Sequence, residues 1–183
     1  MRRFPLPLMI VAALFGIAML WLVIASLVPP GVPTFEPRST PPHDTLQVDT
    51  VTIDARDAEP WRFFAVWRGP LVPPDTAGWD LAVRRFRVIV AGEAVRLDTI
   101  TFDALVHPPT VGFVATTYDR DTLNQAIARW YRYSMFSHLL RPKRQMYVIR
   151  TRAGRHIKLE FLSYYCPGPE PGCVTFRYKL LEP

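Results

Sequence analysis

Only two cysteines occur in the chain, Cys166 and Cys173, seven positions apart. That excludes a four-cysteine zinc site, a CxxC redox motif and a CxxCH haem attachment. Also absent from the 183 residues are HExxH, GxSxG, a phosphate-cradling glycine loop and an EF-hand loop. The 16 acidic residues are scattered; Asp54, Asp57 and Glu59 come nearest to a cluster, and a solvated loop accounts for them. With no nucleophile, base or metal set in a recognisable spacing, the chain reads as a non-enzyme. No internal repeat is evident, which sets solenoids and propellers aside.

What is present begins with 25 uncharged residues, Phe4 to Val28, behind Arg2 and Arg3. A membrane span needs roughly 20 apolar residues, whereas the apolar region of a cleaved signal peptide is usually about 7–15. Residues 4–28 therefore read as an uncleaved transmembrane helix in contact with lipid. The alternative is a cleaved signal, with Val23 and Ala25 as the small residues before the cut. Arg2 and Arg3 belong in the cytoplasm by the positive-inside tendency, which exports everything after Val28. The expected location is a bacterial inner membrane, crossed once, with a periplasmic C-terminal domain.

Six prolines lie between Pro29 and Pro42. Proline fixes φ and removes a donor, so residues 29–45 are expected to be an extended linker or strap of up to roughly 40 Å outside any core. Residues 46–183 are enough for one exported domain with a real core. The formal charge is +6, with basic groups at Arg84, Arg85 and Arg87 and at Arg141, Lys143 and Arg144. Outside the cytoplasm nucleic acid is not an expected partner. Anionic lipid headgroups or an acidic protein face suit such groups, and a solvated rim is the plain alternative.

Export also bears on the cysteines, which are left as either a disulfide or two free thiols. An oxidising compartment favours the disulfide. Placing Cys166 opposite Cys173 in an antiparallel pair sets Tyr165 against Val174, Ser163 against Phe176, Phe161 against Tyr178 and Leu159 against Leu180. The other face then pairs Glu160 with Lys179, an opposite-charge pair of the kind sheets favour. Ahead of this hairpin, a three-residue turn of Arg152, Ala153 and Gly154 pairs Tyr147 with Leu159 and Ile149 with Ile157. A two-residue turn would demand a positive φ of alanine instead. Three strands, about 146–151, 155–165 and 174–181, are thus expected as one meander.

Residues 48–54 alternate, 61–67 are aromatic-rich, and 84–92 read as a strand running into a turn. One helix is expected from about 121 to 140. Leu123, Ile127, Trp130 and Tyr131 share a face at helical spacing, Asp121 caps the start and Pro142 stops the end. The fold class is mostly β, with that helix and the transmembrane one. The aromatics Trp61, Phe63, Phe64, Trp67, Trp79, Trp130, Tyr131 and Tyr133 are expected mainly in the core.

The runs WRFFAVWRGPLV and GWDLAVRRFRVIV, followed by WYRYSMFSHLLRPKRQMYVIRTRAGRHIKLEFLSYYCPGPEPGCVTFRY, resemble the HmuY family of haem-binding proteins over about residues 46–181. The resemblance implies a single antiparallel β domain holding haem between loops, in haem capture at a cell surface. Family members are commonly lipoproteins, whereas here an apolar anchor stands where an acylated cysteine would be expected. Two histidines, or methionines in relatives, are the ligands it implies. The chain offers His43, His107, His138 and His156 with Met135 and Met146 beyond the anchor. His107 and His138 are the candidate axial pair, with Met135 and Met146 as alternates, because neutral imidazoles from two elements can clamp an iron from both sides. Their plain readings are a loop histidine before two prolines and a histidine near the last carbonyls of the expected helix.

Two functions follow as expectations. One is an accessory subunit of a larger respiratory or photosynthetic membrane complex, with protein partners held by the anchor, strap and β domain. The other is a haem-binding or haem-transfer module.

Overall fold

The computed structural model describes residues 5–27, 31–38, 47–73, 75–118 and 121–182. Two compact units are present, one up to Gly31 and one from Val32 onward.

The first unit is helix α1 (Leu6–Leu27), 22 residues with no charged side chain and none buried. Pro7 sits in its first turn, where the missing N–H has no partner to lose. At about 1.5 Å per residue the helix is roughly 33 Å long, enough for a hydrocarbon core of about 30 Å. It is apolar on every face, as a membrane span is and an amphipathic surface helix is not.

The second unit is a pair of packed antiparallel sheets with a small hairpin beside them. The larger sheet is built from β1 (Asp49–Asp54), β6 (Glu93–Leu97), β7 (Val114–Ala115), β10 (Met146–Arg150), β11 (His156–Cys166) and β12 (Glu170–Leu181). Its order is β1-β12-β11-β10-β6-β7. The smaller sheet contains β2 (Arg62–Ala65), β3 (Gly69–Leu71), β4 (Leu81–Arg84) and β5 (Arg87–Val90), in the order β3-β2-β4-β5. The hairpin pairs β8 (Tyr131–Tyr133) with β9 (Leu140–Pro142).

Side chains alternate across a strand, and β10 shows what that does here. Tyr147 and Ile149 enter the core between the sheets with Ile157, Leu159, Phe161, Phe176 and Tyr178. Phe64 of β2 meets Phe176 and Tyr178 edge-on, with centroids 5.5 and 5.4 Å away. Met146 and Val148, on the opposite face of β10, pack with Val95, Phe102, Leu105 and Leu181 in a second, smaller core. Both faces of β10 are therefore packed, while the second face of β11 and β12 stays partly open at Glu160, Arg177 and Lys179.

The β10–β11 hairpin has the expected register, Tyr147 opposite Leu159 and Ile149 opposite Ile157, with Gly154 at φ 77°. The disulfide Cys166–Cys173 is formed, with its Cα atoms 5.0 Å apart.

Up to Phe161 the β11–β12 register differs from expectation by two residues, with Leu159 opposite Tyr178 and Phe161 opposite Phe176; beyond it the offset changes, with Ser163 opposite Thr175 and Cys166 opposite Glu170. A shift of two preserves which face each side chain takes, so the apolar face survives while its pairs change. The cause is a pair of irregularities around Ser163. The Ser163 hydroxyl donates to the Pro33 carbonyl and accepts the Tyr165 N–H at 3.0 Å. Glu160 consequently pairs with Arg177, Nε to Oε2 2.7 Å, while Lys179 faces Lys158.

Three further expectations are corrected. No helix occupies 121–140 among the described residues. Leu123 bridges to Thr117, the chain turns, and Tyr131 to Pro142 form the β8–β9 hairpin. Ile127 and Trp130 are buried as their spacing suggested, but tertiary bonds hold them. Asn124 Nδ2 donates to the Val114 carbonyl at 2.8 Å, and Trp130 Nε1 donates to the Phe86 carbonyl at 2.8 Å. Asp121 lies 3.9 Å from Arg87 in place of a cap, and Pro142 pairs with Tyr131 in place of stopping a helix. Second, 84–92 is not one strand, because Arg85, at φ 53°, turns β4 back into β5.

Third, the proline-rich segment joins the domain. Thr34 makes a parallel bridge to Tyr165, the Phe35 N–H donates to the Tyr165 carbonyl at 3.1 Å, and the Arg38 N–H reaches the Thr52 carbonyl at 3.4 Å. Val32 packs against the main core. Pro33, which has no N–H to donate, takes part through its carbonyl, which accepts from the Ser163 hydroxyl. The rest of the expected linker, including His43, lies outside the described residues.

Candidate functional site

The sequence candidates fall in two places, at opposite ends of β11. His107 is exposed, on the loop that covers the second core. It lines a cavity of about 260 Å³ with Asp103, Leu105, Val106, Lys158, Lys179 and Glu182. That falls short of the roughly 300–1,000 Å³ of a drug-sized ligand cleft.

Lys158 is the organising residue of that corner, and sequence reading missed it. Only 6% exposed, it donates to the carbonyls of Phe102 at 2.7 Å and Leu105 at 2.9 Å. Its ammonium stands 4.6 Å from the centre of the Phe102 ring. Burial, and then Lys179, push its pKa below the ordinary lysine value; Asp103 pulls the other way, and Arg177 adds to the lowering. Two carbonyls and a π-face satisfy a charge that would otherwise be costly to bury. The chemistry is that of a clamp on the 102–105 loop. Lysine in the middle of an apolar strand, HIKLEF, was the signal available in the sequence.

His138 lies at the far end, in the β8–β9 hairpin. Its backbone is left-handed, φ 53°, and its Nδ1 shares a hydrogen bond of 2.6 Å with the Tyr133 hydroxyl. Two residues on, the Leu140 N–H donates to the Tyr165 hydroxyl at 2.9 Å. Lys158, beside His107, and Tyr165, beside this hairpin, are seven residues apart on β11, about 23 Å at roughly 3.3 Å per residue. The two imidazoles are thus not brought together in this arrangement.

The alternates do not repair the pair. Met146 is buried in the second core, whereas Met135 is 73% exposed at the hairpin tip. His156 is half-buried against Phe113, its pKa lowered by burial and then by Arg150. Of the aromatics expected in the core, Phe64 and Trp130 are buried; Trp67 and Tyr133 are exposed. Trp130 stacks on Phe161 with centroids 4.3 Å apart, so it is occupied by packing.

A larger cavity of about 690 Å³ lies beside β5, lined by Arg87, Arg96, Arg129 and Asp121 together with Phe86 and Tyr131. None of its lining residues is a histidine, methionine or cysteine. Among the described residues, no three histidine, cysteine or carboxylate groups come together as a metal site.

No family model matches the chain, and no curated protein matches it. Solved structures do. A lipoprotein candidate from Bacteroides fragilis superposes with a TM-score of 0.63 at 20% identity, covering 78% of this chain and 95% of that one. The apo HmuY analog of Tannerella forsythia gives 0.63 at 15%, covering 76% and 100%. A candidate HmuY-like heme-binding protein from Bacteroides vulgatus gives 0.58 at 18%, covering 73% and 91%. At such identities the likeness establishes the fold: the chain is HmuY-like in architecture.

Proposed function

We propose that the protein is a single-pass inner-membrane protein, N-terminus cytoplasmic, whose periplasmic β domain is a non-catalytic interaction module in a larger membrane complex of the respiratory or photosynthetic kind. The observation that carries this reading is the docking of residues 32–38 onto β11 and β1. Residues 32–38 are thereby part of the domain, where the prolines alone suggested an extended linker or strap outside any core. A haem carrier benefits from reach, while a module with its strap docked suits a fixed neighbour. Gentle detergent extraction from native membranes followed by sizing tests it. Co-purifying subunits in stable ratio are expected; a lone 21 kDa protein overturns the reading.

The second reading, a haem-binding or haem-transfer module, is favoured by the neighbour described as an HmuY-like heme-binding protein. The residues present do not fit a bis-histidine site, since His107 and His138 lie at opposite ends of β11. A Soret titration of the full chain decides it. No shift, or a shift unchanged in the His107→Ala, His138→Ala double variant, removes haem ligation through this pair.

A further inference from the structure

The β8–β9 hairpin presents a surface that the fold does not need. Phe136, at its tip, is 100% exposed, Met135 is 73% exposed, and Tyr133 just behind them is 45% exposed. The tip is nevertheless well built. The Ser134 N–H donates to the Leu139 carbonyl at 2.9 Å, the Ser137 N–H to the Ser134 hydroxyl at 3.2 Å, and the Tyr133 hydroxyl meets His138. At the base, the Lys143 N–H donates to the carbonyl of buried Trp130 at 2.8 Å.

The stem carries charge of one sign. Arg132 lies directly opposite Arg141 in the strand pair, and Lys143 and Arg144 follow. Like charges directly opposed across a sheet are destabilising. No carboxylate among the described residues pairs with any of these four. Between Asp121 and Glu160 the sequence holds nine Lys and Arg and no acid. An apolar tip on a stem of unneutralised bases has the chemistry of a bilayer interface, where the tip enters the acyl boundary and the bases meet lipid phosphates. A chain carrying an apolar helix of spanning length is held at such a surface, so weak contacts become effective.

We propose that the hairpin is a second membrane contact, with Met135 and Phe136 entering the interface of a bilayer rich in anionic lipid and Arg132, Arg141, Lys143 and Arg144 binding its headgroups. This rests on membrane attachment through α1 and not on a partner subunit. An acidic protein face is the competing occupant; the favoured one is lipid, because the tip is apolar and the anchor already supplies the surface.

The test uses the full chain with Phe136→Cys carrying an environment-sensitive fluorophore, the native cysteines being paired. Val111→Cys, 77% exposed on another loop, is the control. Each is reconstituted into protein-free vesicles of phosphatidylcholine, with or without phosphatidylglycerol, and only vesicles recovered by flotation are read. In anionic vesicles the probe at 136 is expected to shift to the blue and resist an aqueous quencher, while the probe at 111 stays accessible. Replacing Arg132, Arg141, Lys143 and Arg144 one after another by Gln should lower the docked-to-undocked ratio roughly fivefold per charge. Equal quenching at 136 in both lipids overturns the proposal, as does an equal blue shift at 111. A probe at 136 protected in native membranes yet open in anionic vesicles also overturns it and assigns the tip to protein. Loss of the complex in the sizing experiment would leave this result standing.

Discussion

Asp80 is a sharp test of how the smaller sheet is held. The residue is only 9% exposed, and its Oδ2 accepts the N–H of buried Val66 at 2.9 Å, closing the turn between β2 and β3. Its own backbone continues the sheet, N–H to the Phe64 carbonyl at 2.8 Å and carbonyl from the Ala91 N–H at 3.0 Å. Asp80→Ala leaves the Val66 N–H buried without an acceptor, a loss of about 1–3 kcal/mol. For a domain of this size that is roughly 2–12 °C in Tm. Asp80→Asn keeps an acceptor oxygen in place and should stay within about 1 kcal/mol of the parent.

The pH dependence separates the two effects. Burial raises the Asp80 pKa above the ordinary carboxylate value; the Val66 hydrogen bond and Arg155 offset it only in part. Between the ordinary value and its own higher one, the folded state holds a proton that the unfolded chain has released. Stability from this group therefore falls as pH rises through that window. The asparagine variant has nothing to titrate at this position, so the parent-minus-variant difference in Tm should decline across the window and then level off. The measurement is thermal unfolding of the full chain in detergent, followed by near-UV circular dichroism. The reasoning fails if the alanine variant melts with the asparagine one, or if the difference is flat with pH.

Trp130→Ala should cost about 3–5 kcal/mol, because it empties the stack on Phe161 and the bond to Phe86. Amide exchange should accelerate first in residues 131–142. Reducing Cys166–Cys173 should lower stability by roughly 2.5 kcal/mol in the chain-entropy account, read as a lower Tm in reductant that Cys166→Ala, Cys173→Ala reproduces. Gly92→Ala would put a Cβ 2.0 Å from the Arg150 carbonyl oxygen, where β6 meets β10. A loss above about 4 kcal/mol is expected, and recovery of soluble, protease-resistant protein at parental yield would refute it.

The meander was legible because its information is local. Gly154 sets the turn, and alternation from Tyr147 to Leu159 carries the register outward from it. The β11–β12 pairing was legible only to its face, since the irregularity at Ser163 is held by Pro33, 130 residues away in sequence. Residues 121–140 were misread for a related reason. Leu123, Ile127 and Trp130 have helical spacing, but their partners are Thr117, the core between the sheets and Phe86, none of them in the same segment. The candidate site shows the same limit. Histidines 31 positions apart can be named from sequence, yet whether they meet depends on which end of β11 each loop reaches.

Covalent neighbours and a period of two or 3.6 residues were enough to determine the apolar span of α1, the disulfide hairpin and the buried face of each long strand. Those are properties a short segment settles with water or lipid as its only counterpart. Tertiary structure decided the rest: the two-residue shift, the docked strap, the clamp at Lys158, and a Phe136 left bare at the end of a rigid basic hairpin. Each of these balances a local preference against contacts with residues far along the chain, and only closure of the fold brings those contacts together.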